Sequence, residues 1–202
     1  KPLTPFRTST LQQEASSRLN FTAGKTMRIA QQLYQGESRD GDQQEGGLIT
    51  YMRTDSVQVS PQAQEQARSF IRDRYGDKYL PSKPPRYRKG KGSQEAHEAI
   101  RPTSVVRTPE DIKGTLTRDQ YRLYQLIWRR FVASQMTSAI YDTLRVDVRA
   151  IGVQNGYDFR ANGISIRFAG FLHVYEPSPS DDNGNDRGTD EIPDLVDNEK
   201  LL

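Results

Sequence analysis

The sequence contains no cysteine. Disulfides and thiolate metal sites are thereby excluded, and the composition suits a cytoplasmic protein. No apolar run approaches membrane-spanning length, and no signal-peptide pattern opens the chain. There is no internal repeat and no Asp-x-Asp-x-Glu stretch. The nearest text, Asp40-Gly41-Asp42, continues as Gln43-Gln44-Glu45 and does not fit a calcium-binding loop, so it reads as a solvated loop. Position 1 lacks methionine, and the chain reads as an internal piece of a longer protein.

What is present is charge, unevenly spread. The 202 residues carry a net charge of +3, with 27% charged and 34% hydrophobic residues. That length accommodates one large domain or two small ones with a real core. From Glu176 onward there are nine acidic and two basic residues, whereas residues 1–175 carry 27 basic and 17 acidic ones. A basic body of this kind suits a polyanionic partner.

Helix signals dominate the first 138 residues. Thr10 and Gln13 have capping-box spacing, followed by the stripe Leu11, Ala15 and Leu19. A second helix is predicted over Ala23–Gln35, with Met27, Ala30, Leu33 and Tyr34 inward and Gly36 as its stop. Ser60-Pro61 opens a third, which buries Ala63, Ala67, Phe70 and Ile71 and ends at Gly76. Thr108-Pro109 starts a short turn closed by Gly114, and Thr117 with Gln120 caps the longest helix. There Tyr124, Ile127, Trp128, Phe131 and Gln135 share a stripe, which makes Trp128 a core residue rather than a stacking platform.

The period then changes to two. Leu144, Val146 and Val148 alternate with Arg145, Asp147 and Arg149, and Ile164, Ile166 and Phe168 alternate again. With Asn155-Gly156 and Asn162-Gly163 as turns, a small antiparallel sheet of about three strands is predicted. The expected class is α+β and mainly α, with a helical domain at 1–138, a β segment at 139–177 and an acidic, disordered linker at 178–202.

The chemistry concentrates in "GLITYMRTDS", residues 47–56. A tyrosine hydroxyl ordinarily ionises near pH ~10 and is a poor nucleophile at neutral pH. Cations that stabilise the developing phenolate change that. In an extended segment Tyr51 and Arg53 point to the same side and can address one anion, the guanidinium forking onto phosphate oxygens. His97 supplies a tunable donor, and Arg101 would share its face if 96–101 formed a helical turn. Arg86, Arg88, Lys89 and Lys91, with Tyr87 among them, lie in a Pro/Gly-rich loop at 81–93 that can follow a nucleic-acid backbone.

"GLITYMRTDS" followed by "AHEAIRPT" (96–103) resembles the type IA DNA topoisomerases, and "TSTLQQEASSRLNFTAGKTMRIAQQLYQG" (8–36) is similar to the segment before that family's active-site tyrosine. The strands of 141–150 and 163–177 resemble those that follow it, so the likeness covers roughly residues 5–177. It implies that Tyr51 attacks a phosphodiester of single-stranded DNA to form a 5′-phosphotyrosyl bond. Arg53 would then neutralise the scissile phosphate, and His97 would hydrogen-bond the same region. Arg101 would be a weaker backbone contact.

The resemblance further implies ATP-free relaxation of negative supercoils in the bacterial cytoplasm, on the nucleoid. The family's toprim domain holds Mg²⁺ through acidic residues that have no counterpart here. The isolated chain is therefore expected to be inactive, and its partners to be DNA and the remaining domains of a longer enzyme. Exposed edges of an incomplete arch would invite pairing with a second copy. The competing reading is a non-catalytic module of the same fold that binds single-stranded DNA or a protein. Tyrosine recombinases and type IB enzymes also combine Tyr, Arg and His, but there the tyrosine follows its basic residues, whereas Tyr51 precedes His97 and Arg101.

Overall fold

The computed structural model describes residues 1–38, 46–87, 97–151 and 156–176. Arg88, Lys89, Lys91, the Asp40 loop, Asn155 and the acidic segment 178–202 lie outside them. No helix among the described residues is long and apolar enough to cross a membrane.

Among the described residues four α-helices form, where capping signals and apolar periodicity coincide. Helix α1 (Thr8–Leu19) starts three residues earlier than its capping signal at Thr10 and Gln13 implies. The Arg7 amide donates to Thr10 Oγ1 at 3.1 Å, so Thr10 is the third helical residue and Arg7 the cap. Helix α2 (Ala23–Gln35) has the predicted bounds. Thr22 Oγ1 accepts the Lys25 amide, and Gly36 closes the helix at φ 73°, a left-handed turn that a side chain would oppose. In α3 (Pro61–Tyr75) Pro61 occupies the first turn, but the Ser60 side chain makes no capping bond. Helix α4 (Arg118–Ser134) opens with the reciprocal Thr117–Gln120 box. The turn expected to close at Gly114 instead places Gly114 inside a 3₁₀ turn, Lys113–Thr115.

Helix α4 is the centre of the core. Leu123, Tyr124, Ile127, Trp128 and Phe131 are buried, and α1 and α2 both pack on it. The polar tips of its aromatics are satisfied by backbone. Trp128 Nε1 donates to the Val105 carbonyl at 2.8 Å, and the Tyr124 hydroxyl donates to the Arg107 carbonyl at 2.6 Å, which seats the 105–107 segment on the helix.

The β segment is a two-stranded antiparallel ribbon, β1 (Ile140–Ile151) with β2 (Gly156–Phe168), rather than three strands. Asn162-Gly163 is not a turn: Arg145 faces Asn162 and Leu144 faces Gly163 in mid-ladder. Phe171 and Leu172 belong to a 3₁₀ turn, Gly170–His173. The predicted alternation holds, but its apolar side is open, with Leu144 and Val148 exposed. Arg145, Asp147, Arg149, Asp158 and Arg160 are tied by ion pairs, and the Asp147 carboxyl is held below its usual range by Arg160 and then Arg145.

Burial pushes the Tyr87 phenol up to about 12 and also raises Tyr75, Tyr124 and Tyr175. Phenols in the unfolded chain ionise near pH ~10. Above that pH the folded state holds protons that the unfolded state has lost. The stability these groups supply is complete below about pH 10 and falls as pH rises through about 12. Urea midpoints should therefore stay flat to about pH 10 and then drop, with the phenolate absorbance of these four tyrosines appearing together with unfolding. Full phenolate titration near pH ~10 with unchanged circular dichroism would contradict this.

Candidate active site

Residues 51–57 leave the core and return to the same residue. On one side Thr50 Oγ1 donates to the Ala99 carbonyl at 2.7 Å, and on the other the Ala99 amide donates to the Gln58 carbonyl at 2.8 Å. Both feet of the excursion thus stand on one peptide neighbourhood, as in a compact Ω-loop. The strand that supplies Ala99 is itself fixed. Ile49 bridges Pro102, Ile100 bridges Phe6, and the Thr50 amide donates to the Arg101 carbonyl at 2.9 Å.

Within the excursion burial alternates. Met52, Thr54 and Ser56 are buried, whereas Tyr51, Arg53 and Asp55 are exposed. Thr8, at the start of α1, enforces this. Its hydroxyl donates to the Met52 carbonyl at 2.7 Å and accepts the Thr54 amide at 2.8 Å, while its own amide donates to the Thr54 carbonyl at 2.9 Å. Tyr51 and Arg53 are both left at the surface, on a chain that bends at Met52 and Arg53. Tyr51 is 45% exposed, so it is not the packing residue that its apolar neighbours suggest.

Tyr34 is a neighbour that the sequence reading assigned to the core. It is 40% exposed, and its ring meets Tyr51 edge-on with centroids 5.5 Å apart. The reason lies at Gly47. A Cβ there would stand 2.0 Å from the Tyr34 carbonyl oxygen, and the adjacent Leu48 amide donates to the Leu33 carbonyl at 2.8 Å. The last turn of α2 is therefore covered by the chain leading into Tyr51, leaving the Tyr34 ring at the surface. Gly47→Ala should cost about 3 kcal/mol, the upper end for overpacking, because the atom it meets is backbone. Chemical denaturation measures this, and a loss below about 0.5 kcal/mol would mean the close approach is not required.

Arg53 lines a shallow groove of about 570 Å³ along α2, with Arg28, Gln31 and Gln35. His97 is exposed and lies two residues before Ala99, at the foot of the excursion. The expected helical turn at 96–101 is absent from its described part, which has no helix and is bridged at Ile100, with Pro102 just beyond it bridged as well. Arg101 is occupied. Its Nε donates to Glu98 at 2.7 Å and its Nη1 to the Pro102 carbonyl at 2.9 Å. Arg86 is exposed. Tyr87, read with the basic loop, is instead an anchor: its hydroxyl donates to the Ser134 carbonyl, and Gln58 Nε2 donates to its carbonyl at 2.7 Å.

The family profile described as "DNA topoisomerase" matches residues 1–202. This chain belongs to the DNA topoisomerase family. The full-length topoisomerase I of Thermotoga maritima is similar in structure, with a TM-score of 0.76 and 42% sequence identity over 96% of this chain. The chain spans 29% of the length of that topoisomerase. Among the described residues no three His, Asp or Glu side chains converge as a metal site would require. Among the described residues around Tyr51 and Arg53 the carboxylates include Asp55, exposed, Glu37, which lines the Arg53 groove, and Glu98, committed to Arg101. That donor set does not fit a Mg²⁺ centre.

Proposed function

We propose that this chain carries the strand-cleaving tyrosine of a type IA DNA topoisomerase. The observation that supports this most is the excursion at 51–57, which buries alternate residues and leaves Tyr51 and Arg53 outward on a rigidly footed loop. The Tyr51 hydroxyl oxygen attacks the phosphorus of a single-stranded phosphodiester. A Tyr–O–P bond forms to the 5′ side, the bond from phosphorus to the 3′ oxygen breaks, and the phenol proton ends on that oxygen as a 3′-hydroxyl. One ester replaces another, so the reverse step reseals the strand without ATP. Arg53 forks onto the non-bridging oxygens as charge develops. His97 donates a hydrogen bond to the same phosphodiester. Arg101, held by Glu98, sets the strand that carries His97, and Arg86 with Arg88, Lys89 and Lys91 follows the DNA backbone.

Passage of a second strand through the protein-bridged break changes the linking number in unit steps and relaxes negative supercoils in the bacterial nucleoid. In this reading Mg²⁺ is bound by a toprim domain elsewhere in a longer enzyme, and residues 1–202 alone do not relax DNA. The test uses an end-labelled single-stranded oligonucleotide and the longer protein that contains this chain. A covalent adduct that survives denaturation and maps to Tyr51 is expected, together with no relaxation of a supercoiled plasmid by residues 1–202. An adduct on another residue, or none, overturns the proposal.

A further inference from the structure

A second cleft, sharing no residue with the Tyr51 site, lies between the C-terminal ends of α1 and α3, the outer face of α4 and residues 172–176. Its volume is about 730 Å³. Four arginines line it, Arg18, Arg74, Arg122 and Arg129, against two carboxylates, Glu110 and Glu176.

The four arginines are not equivalent. Arg18 is bound to Glu14 and to the Glu176 carbonyl. Arg122 donates to the Leu19 carbonyl and lies over the Phe21 ring. Arg74 and Arg129 are exposed and make no hydrogen bond or ion pair among the described residues. Both act electrostatically on the Tyr75 hydroxyl, with Glu110 as the opposing charge. That hydroxyl also has no hydrogen-bond partner among the described residues, although Tyr75 is half-buried. Its ring is fixed edge-on by Phe70 and by His173, at 6.3 and 5.7 Å between centroids.

Two unpaired guanidiniums and an unpaired hydroxyl on a ring held edge-on thus line one recess. Each is a donor, neither guanidinium can accept, and the hydroxyl accepts from neither of them. An oxyanion with several acceptor oxygens satisfies all of them at once, and guanidinium geometry favours a phosphate over a single-point anion. We propose that this cleft is a phosphate-binding site in which the Tyr75 hydroxyl and the Arg74 and Arg129 guanidiniums grip a phosphate mono- or diester. Burial raises the Tyr75 pKa, so the phenol keeps the proton it donates.

The phosphate can belong to a small compound or to a nucleic-acid strand, and calorimetry on the intact chain separates the two. Pyrophosphate and a short single-stranded oligonucleotide serve as probes. Saturable binding of at least one is expected, weakened about tenfold by Arg74→Ala or Arg129→Ala, the usual size for a charged hydrogen bond lost. Tyr75→Phe should weaken it less while leaving the thermal midpoint in place. Displacement of the oligonucleotide by pyrophosphate, with a salt slope smaller by about 0.7 per arginine removed, identifies a strand backbone as the ligand. Binding of pyrophosphate alone identifies a small phosphate compound. Tyr51→Phe and Arg53→Ala should leave pyrophosphate binding unchanged, which separates this site from the proposed cleavage site. Failure of both probes to bind, or equal affinity in the doubly substituted Arg74/Arg129 protein, overturns the proposal.

Discussion

Phenylalanine at position 51 will leave the fold intact and reduce the covalent DNA adduct to background. The expectation follows from where the hydroxyl sits. Tyr51 is 45% exposed, and its contact with the core side is the edge-on ring of Tyr34, which phenylalanine keeps. The backbone of the excursion is held by Thr8 and Ala99, neither of which touches the phenol oxygen. Stability should therefore change by less than about 0.5 kcal/mol, as for surface substitutions generally. The chemistry, in contrast, has no substitute for the missing oxygen. Binding of single-stranded DNA, measured by anisotropy on the longer protein, should survive because the cations around the site are untouched. If the variant still forms an adduct, another nucleophile is at work. If binding is lost with the adduct, the hydroxyl serves recognition rather than transesterification.

Glu14→Ala will destabilise the protein by about 3–5 kcal/mol, the usual cost of stranding one member of a buried ion pair. Glu14 and Arg130 are each only 4% exposed. Glu14 accepts the Tyr175 hydroxyl at 2.7 Å and is bound by Arg18, and its other carboxylate oxygen lies 4.0 Å from Arg130 Nη1. Arg130 in turn donates to the Thr4 carbonyl at 2.7 Å and to the Tyr175 hydroxyl at 3.2 Å. Its guanidinium carbon is 4.9 Å from the Phe6 ring centre and 5.2 Å from that of Tyr175. Alanine at 14 leaves that cation desolvated without its carboxylate. Urea unfolding should show a lower midpoint at an unchanged slope. Adding Arg130→Met should recover part of the loss, since the charge that lacked a partner is then gone. A penalty below about 1 kcal/mol would mean that solvent already reaches the pair.

Much of the helical body was legible in the sequence because its signals are local. The end of α2 follows from Gly36, and the start of α4 follows from the Thr117–Gln120 box. Tyr51 and Arg53 are both exposed, as expected, although the chain bends at Met52 and Arg53 instead of running as an extended segment. What was not legible depended on long-range partners. Tyr34 shares a helical stripe with Ala30 and Met27, yet the surface over it is decided by a glycine thirteen positions later. Arg101 looked free for phosphate because nothing in the spacing of an Arg and a Glu three residues apart says that non-helical backbone brings them together. Asn162-Gly163 has the composition of a hairpin turn, but a partner strand of 12 residues runs past it and its own turn chemistry is overridden. The unpaired hydroxyl of Tyr75 had no sequence signal, since an aromatic at the end of an amphipathic helix reads as core.

The double footing on Ala99 has a mechanical meaning. A cord tied to position 51 and pulled taut would load backbone bonds on both sides of a single small residue, with Thr8 bracing the middle of the span. The force would reach α1 and the Phe6–Ile100 bridge without passing through any long, bendable side chain. An exposed side chain is thus mounted on backbone well harnessed to bear tension.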